Sequence, residues 1–326
     1  MAMALMCADY LKPLPTSPEG KELQAIIAKS YPQFADQYNT VSRQTRQRDG
    51  NETATRRQRN LRTVYSHYEH ITPIKGVNDD NLGKKHALSK LIHAATSDYL
   101  WLHDDDVTLP KAAIEDWRLE IGDLDLVILP LRMETPRSLE GRVGESLLEK
   151  LQIAEYAAIQ ELTMRSAKRG RAVMCSGANL IVKREVWLAC EKELHPEIPS
   201  GDDMFLLEAM KKRGYKIGVI DEPDYTAIVR PQTTWRAFWR QRTRWAGKAP
   251  HYTDKDIRRC GALILTANIL QLICPLIILI KFPIEFSLIK KREPQTSWLV
   301  ALLLEILYPF YILITLIGGL CSPRQW

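Results

Sequence analysis

The chain has 326 residues, 45% of them hydrophobic, enough for one α/β domain of ordinary size with a small appendage. Its modest formal net charge of +6 suits work near anionic phosphates or an anionic lipid surface and equally suits many soluble enzymes. The six cysteines lack CxxC or zinc-ligand spacing, which points to free thiols in a reducing compartment and excludes a disulfide scaffold.

Residues 1–22 carry no periodic signal and read as irregular, and Met1 to Cys7 is too short and too poor in basic residues for a secretory leader. Leu23, Ile26, Ile27 and Phe34 are spaced for one face of a helix from Glu22 to about Tyr38. The next stretch is polar and rich in arginine, from Arg43 to Arg62. Without interleaved aromatics it reads as a solvated basic face, not a nucleic-acid surface.

Order improves at Ile71 with a short strand, followed by a helix from Lys84 to Thr96. Tyr99 to Leu102 is an apolar run typical of a buried strand, and it ends directly in His103-Asp104-Asp105-Asp106. Pro110 then opens a helix. Further along, a strand is expected over Leu124 to Leu131, a long helix over Leu139 to Arg165, and a strand over Ala178 to Val182 with a helix from Arg184. Met204 to Arg213 reads as a helix stopped by Gly214, and Tyr215 to Ile220 as a strand. This alternation predicts a mostly parallel sheet with helices on both faces, whose ligands bind at the carboxyl ends of the strands.

Beyond about residue 258 the composition turns to Leu, Ile and aromatics. Residues 261–280 and 297–320 are each long and apolar enough to span a membrane, a buried hairpin being the plainer alternative. Basic residues flank the first segment on both sides, at Arg258 and Arg259 and at Lys290, Lys291 and Arg292. A kink or re-entrant turn at Pro275 or Pro283 would reconcile them with cytoplasmic placement.

Three constellations carry chemistry. Carboxylates at Asp104 and Asp106, at the tip of a buried strand, can hold a hard divalent cation that neutralises a diphosphate; a solvated turn is the plainer account. Asp202 and Asp203 open a helix, where they serve either as caps or as a general base whose proton affinity is raised by the neighbouring carboxylate. In Thr233 to Lys248, helical spacing puts Gln241, Arg244 and Trp245 on one face, fit for a diphosphate and a sugar ring. The same stretch has the Trp and Arg content of an interfacial membrane helix.

Together, in this order, these features resemble family 2 glycosyltransferases of the GT-A fold. The subgroup is the membrane-embedded one that includes cellulose, chitin and hyaluronan synthases and ceramide glucosyltransferase. Asp104 and Asp106 match its DxD metal motif, Asp203 with Asp202 its acidic pair, and Gln241, Arg244 and Trp245 its Q-x-x-R-W helix. Gly83-Lys84-Lys85-His86-Ala87-Leu88 looks like its G-K-x-x-A-L helix start near the nucleotide. Cys175 to Asn179 looks like its acceptor-side segment, with Ser176, Gly177 and Asn179 lining it. The resemblance implies a hexosyltransferase acting by inverting transfer, with Mg²⁺ or Mn²⁺ as cofactor. Its partners would be a nucleotide-sugar donor, a glycan or lipid acceptor and membrane lipids, with no nucleic acid. A non-catalytic scaffold of this fold and a membrane-tethered metal hydrolase are the rival expectations.

The family's first strand, with its P-x-Y/R-N-E-like turn, and the V-D-D-like turn of its second strand are not recognisable here. Either the start of the chain is truncated or altered, or donor binding has diverged. The expected organisation is an irregular segment (1–22), a GT-A-like α/β domain with N-terminal strands incomplete (23–232), an amphipathic interface helix (233–258) and a transmembrane region (259–326). The expected location is a bacterial cytoplasmic membrane, with the catalytic domain in the cytoplasm.

Overall fold

A computed structural model describes residues 71–75, 84–104, 106–109, 121–135, 146–198 and 200–321, all within one structural unit. The expected Glu22 helix, the Arg-rich stretch, Asp105 and the helix from Pro110 lie outside the described residues, as does the side chain of Lys84.

The elements are β1 (Ile71–Lys75), α1 (Lys84–Ala94), β2 (Tyr99–His103), β3 (Leu126–Ile128), β4 (Leu131–Met133), α2 (Leu147–Lys168), β5 (Leu180–Lys183), α3 (Arg184–Cys190), α4 (Asp202–Arg213), β6 (Ile217–Val219), β7 (Ala227–Val229) and α5 (Trp235–Ala246). Three more helices follow: α6 (Lys255–Ile273), α7 (Ile278–Arg292) and α8 (Trp298–Cys321).

The main sheet has the order β1-β2-β5-β3-β6. It is mixed, not mostly parallel: β1 and β2 are parallel, as are β3 and β6, whereas β5 runs antiparallel to both of its neighbours. Register gives the reason. Leu180, the first residue of β5, pairs with Leu102 near the end of β2 and with Ile128 at the end of β3. The chain therefore joins the sheet from the carboxyl side, and the segment just before β5 lies beside the acidic turn that follows β2. Leu100, Leu126, Leu180 and Val182 are fully buried at the centre of the core. Strands buried on both faces read as plain apolar runs in either direction, so the sequence pattern carries no sign of this reversal.

The strand expected over Leu124 to Leu131 is split. Pro130 has no N–H to give a ladder, and its carbonyl instead accepts from Ala227 N and from the Asn179 side chain. Beyond it the chain leaves the main sheet, and β4 pairs in parallel with β7 in a separate two-stranded sheet. The long helix α2 starts at a capping box: Ser146 Oγ accepts from Glu149 N at 3.3 Å, and Glu149 accepts from Ser146 N at 2.7 Å.

The first expected span does not form one continuous helix. α6 ends at Ile273, Cys274 leaves helical geometry (φ −128°, ψ 89°), and Pro275 opens a short 3-10 turn before α7. Proline interrupts a helix because it lacks the N–H and its ring meets the preceding turn. Among the described residues one helix, α8, is long and apolar enough to cross a membrane. Its one carboxylate, Glu305, is buried against Lys281 of α7 at 2.5 Å, and Lys281 also donates to Asn268 Oδ1 of α6 at 3.3 Å. The three helices are thus tied by polar groups withdrawn from the surface. Near its C-terminus α8 meets α5 backbone to backbone: a Cβ added at Gly319 would lie 2.6 Å from Gly247 N.

Candidate active site

A cleft of about 750 Å³ opens at the carboxyl side of β2 and β3. Asp104 and Asp106 reach it from the turn after β2, which is closed by Val107 N donating to Asp104 O at 3.3 Å. Asp104 is partly buried and Asp106 exposed. Residues just past that turn are held by paired backbone hydrogen bonds between Thr108 and Ile228 of β7, at 2.9 and 2.8 Å.

Asp202 and Asp203 come to the cleft as the first residues of α4. The preceding Gly201 has φ 91°, a left-handed conformation that favours glycine, and a Cβ there would lie 2.6 Å from Lys248 Cδ. Both carboxylate oxygens of Asp203 are oriented by backbone amides. Oδ2 accepts from Gly177 N at 3.1 Å and Oδ1 from Met204 N at 2.8 Å. The Cys175 thiol donates to the Asp203 carbonyl at 3.2 Å. Burial first, then the charges of Asp203 and Asp202, push that thiol well above its ordinary range, so it stays protonated and is no nucleophile.

Ser176 and Gly177 line the same cleft. Asn179 does not: it is buried, its amide nitrogen donates to the carbonyls of Pro130 (2.8 Å) and Tyr225 (2.9 Å), and its Oδ1 accepts from Trp101 Nε1 (2.9 Å). It pins the start of β5 and thereby positions the Ser176–Gly177 loop.

The third group comes from α5, whose N-cap Thr234 accepts from Ala237 N at 3.3 Å. Gln241, Arg244 and Trp245 all line the cleft, as their shared helix face requires. Arg242 turns the other way, buried with Glu155 of α2 at 2.6 Å and with its guanidinium 4.4 Å from the Trp245 ring centroid. It fastens the helix that carries the cleft residues to α2 and backs the indole.

Several cleft residues went unrecognised in the sequence. Lys248, Tyr252 and Arg258 line it, as does Ser200. Among the described residues, Ser200 Oγ and Gln241 Oε1 are buried polar atoms with no hydrogen-bond partner, so both are open to a polar ligand in the cleft. Burial, reinforced by the charge of Asp203, pushes the Tyr252 hydroxyl well up, so it remains a neutral donor. Lys85, next to Lys84, caps the carbonyls of Leu194 and His195 at 2.6 and 2.9 Å. Burial lowers the pKa of its ammonium, an effect opposed by the charge of Asp202.

Among the described residues, no group of three or more His, Cys, Asp or Glu is placed to hold a metal ion. Two carboxylates, Asp104 and Asp106, still suit Mg²⁺ or Mn²⁺, because such ions take one or two protein carboxylates and fill their other positions with water and substrate phosphates.

The family model for glycosyltransferase-like family 2 matches residues 20–248, which covers all the acidic and α5 residues of the cleft. No curated protein matches the chain. Among solved structures it is similar to S. aureus TarS 1–349 in complex with UDP, at 13% identity and a TM-score of 0.31, covering 59% of this chain and 52% of that one. For TarS 1–349 alone the identity is 13% and the TM-score 0.31, with 58% and 51% covered. For S. aureus TarS the values are 14% and 0.31, with 59% of this chain and 32% of that one covered. The chain thus spans about half or less of the structures it matches. On the family match over residues 20–248, the chain belongs to the glycosyltransferase-like family 2.

Proposed function

We propose that the protein is a metal-dependent inverting glycosyltransferase that moves a hexose from a nucleotide-diphosphate donor to a glycan, glycolipid or lipid-carrier acceptor at a membrane. The observation that carries this reading is the convergence of three distant segments (Asp104 and Asp106, Asp202 and Asp203, and Gln241, Arg244 and Trp245) on one cleft. Asp104 and Asp106 would hold Mg²⁺ or Mn²⁺, which when bound neutralises charge on a departing diphosphate. Arg244 and Lys248 bring positive charge to that leaving group, and Trp245 presents a ring face to the sugar. Asp203, its carboxylate aimed by Gly177 and Met204, takes the proton of the acceptor hydroxyl as that oxygen attacks the anomeric carbon from the opposite face. Asp202 stands beside it, and Ser176 and Gly177 form the acceptor wall.

Membrane attachment is supported by the exposed apolar faces of α6 and α8 and by exposed Trp235 and Trp298, residues suited to the lipid–water boundary. In this reading α8 spans, α6 and α7 dip into the bilayer and return at Pro275, and the cleft faces the cytoplasm. The test is release of nucleoside diphosphate from a panel of nucleotide sugars, with Mg²⁺, with Mn²⁺ and after chelation. At least one donor should be consumed, dependent on metal, with strong loss in Asp106→Ala. Failure to consume any donor would overturn the assignment.

A further inference from the structure

Helix α2 contributes Tyr156, Ile159, Gln160 and Thr163 to the cleft, residues whose spacing keeps them on one helix face. Thr163 is committed within the helix, donating to Ile159 O at 2.8 Å. Tyr156 is placed differently. Its ring is buried among Leu131, Met133, Ala178 and Ala227. Together with Leu131 it lines a second cavity of about 280 Å³ as well as the cleft, so the ring stands in the partition between the two. The preceding residue, Glu155, is ion-paired with Arg242 of α5 at 2.6 Å, which fixes the rotation of α2 at this point.

The Tyr156 hydroxyl is oriented by Gln160. Gln160 Oε1 accepts from Leu131 N at 3.2 Å, and the same side chain hydrogen-bonds the phenolic oxygen. With its oxygen held by Leu131, Gln160 meets the phenol through its amide nitrogen, which can only donate. The phenolic oxygen is therefore the acceptor, and its own proton is left to point elsewhere. Burial raises the Tyr156 pKa well above the usual phenol range; the Arg242 charge opposes this, and the charges of Asp104 and Asp203 reinforce it. The hydroxyl thus stays protonated, within electrostatic reach of Asp104 after β2 and of Asp203 at the start of α4.

In a displacement at an anomeric carbon, the departing diphosphate and the incoming oxygen lie on opposite sides of that carbon. The transferred sugar then occupies the space between the Asp104 side and the Asp203 side, and a neutral donor that senses both carboxylates borders that space. Resting on the glycosyl-transfer reading, we infer that Tyr156 is a specificity-determining residue whose hydroxyl donates a hydrogen bond to one hydroxyl of the transferred sugar. A buried phenol left without an acceptor costs free energy, so the cleft favours a sugar that brings an oxygen to this position and disfavours one that lacks it.

The test compares the unmodified full chain in detergent with Tyr156→Phe, which removes one oxygen and leaves the ring in its apolar setting. Nucleoside-diphosphate release is measured from the donor that is consumed and from analogues of it lacking one sugar hydroxyl at a time. Affinity for the bare nucleoside diphosphate is measured beside it. The unmodified chain should lose about tenfold in kcat/KM on at least one analogue. Tyr156→Phe should lose a comparable factor on the parent donor and nothing further on that analogue, while binding the nucleoside diphosphate unchanged. An equal loss on that analogue in both proteins would overturn the inference, as would weakened binding of the bare nucleoside diphosphate, which a merely structural role would produce. Equal use of every analogue by the unmodified chain would also overturn it, a result that requires no variant to fold. These three outcomes leave the transferase reading standing, whereas failure of the unmodified chain to consume any nucleotide sugar would overturn both together.

Discussion

Consider Gly319→Ala, a change on α8 that faces away from the acidic centre. The added methyl would lie 2.6 Å from Gly247 N and 3.0 Å from the Ala246 carbonyl carbon, both backbone atoms that cannot swing aside. Ordinary contact begins near 3.4 Å, so the helices must part by roughly 0.8 Å. Overpacking of this kind costs about 1–3 kcal/mol. α5 is held to α2 by the buried Arg242–Glu155 pair and carries Arg244 and Trp245 one to three residues from the contact, so part of the displacement passes directly into the cleft. A misplacement on the order of 1 Å can reduce rate about a hundredfold. The assay is kcat/KM for nucleoside-diphosphate release, with thermal unfolding followed by tryptophan fluorescence. A fall of about ten- to a hundredfold in a folded protein is expected. Activity within about twofold of the unsubstituted chain would refute the coupling of α8 to the cleft.

Glu155→Gln should destabilise the fold by about 3–5 kcal/mol, because it leaves the Arg242 charge buried while its Nε and Nη1 already lack partners among the described residues. An unchanged melting temperature would contradict this. A second expectation concerns acid. Burial alone would raise the Glu161 carboxyl, but Lys291, Arg165 and Arg292 outweigh it and hold it below its ordinary 4.5; Arg292 and Lys168 likewise outweigh burial and hold the partly buried Asp221 below 3.8. A carboxyl depressed in the folded state adds stability that is complete above its unfolded pKa and is lost as pH falls through the folded value. Stability should therefore hold between neutral pH and about pH 5 and drop below about pH 4, less steeply in Glu161→Gln; an equally steep drop in that variant would refute the assignment.

Residue type and spacing made much of the cleft readable. A buried strand ending in Asp104, a helix beginning at Asp202 and a helix face bearing Gln241, Arg244 and Trp245 are local patterns, and local patterns survive without knowledge of the fold. What depended on long-range packing did not read through. The reversed direction of β5 arises from where the chain leaves α2, not from Leu180 to Lys183 themselves, whose apolar run fits either orientation. Asn179 was expected at the acceptor side from the family resemblance of Cys175 to Asn179, yet its amide is consumed in joining β2, Pro130 and Tyr225. Ser200, Lys248, Tyr252 and Arg258 lie on turns or at helix ends, where no periodicity announces which way a side chain points. Pro275 was visible as a possible break, and the structure turns the chain there. The start of the chain, residues 1–70, lies outside the described residues.

The most direct test of the account is the Asp203→Asn variant, assayed both for transfer from a consumed nucleotide sugar and for binding of the corresponding nucleoside diphosphate. The amide keeps the shape of the side chain but cannot take a proton, so transfer should fall by about a hundredfold or more while diphosphate binding stays close to that of the unsubstituted chain. Retained transfer would contradict the assignment of Asp203 as the base.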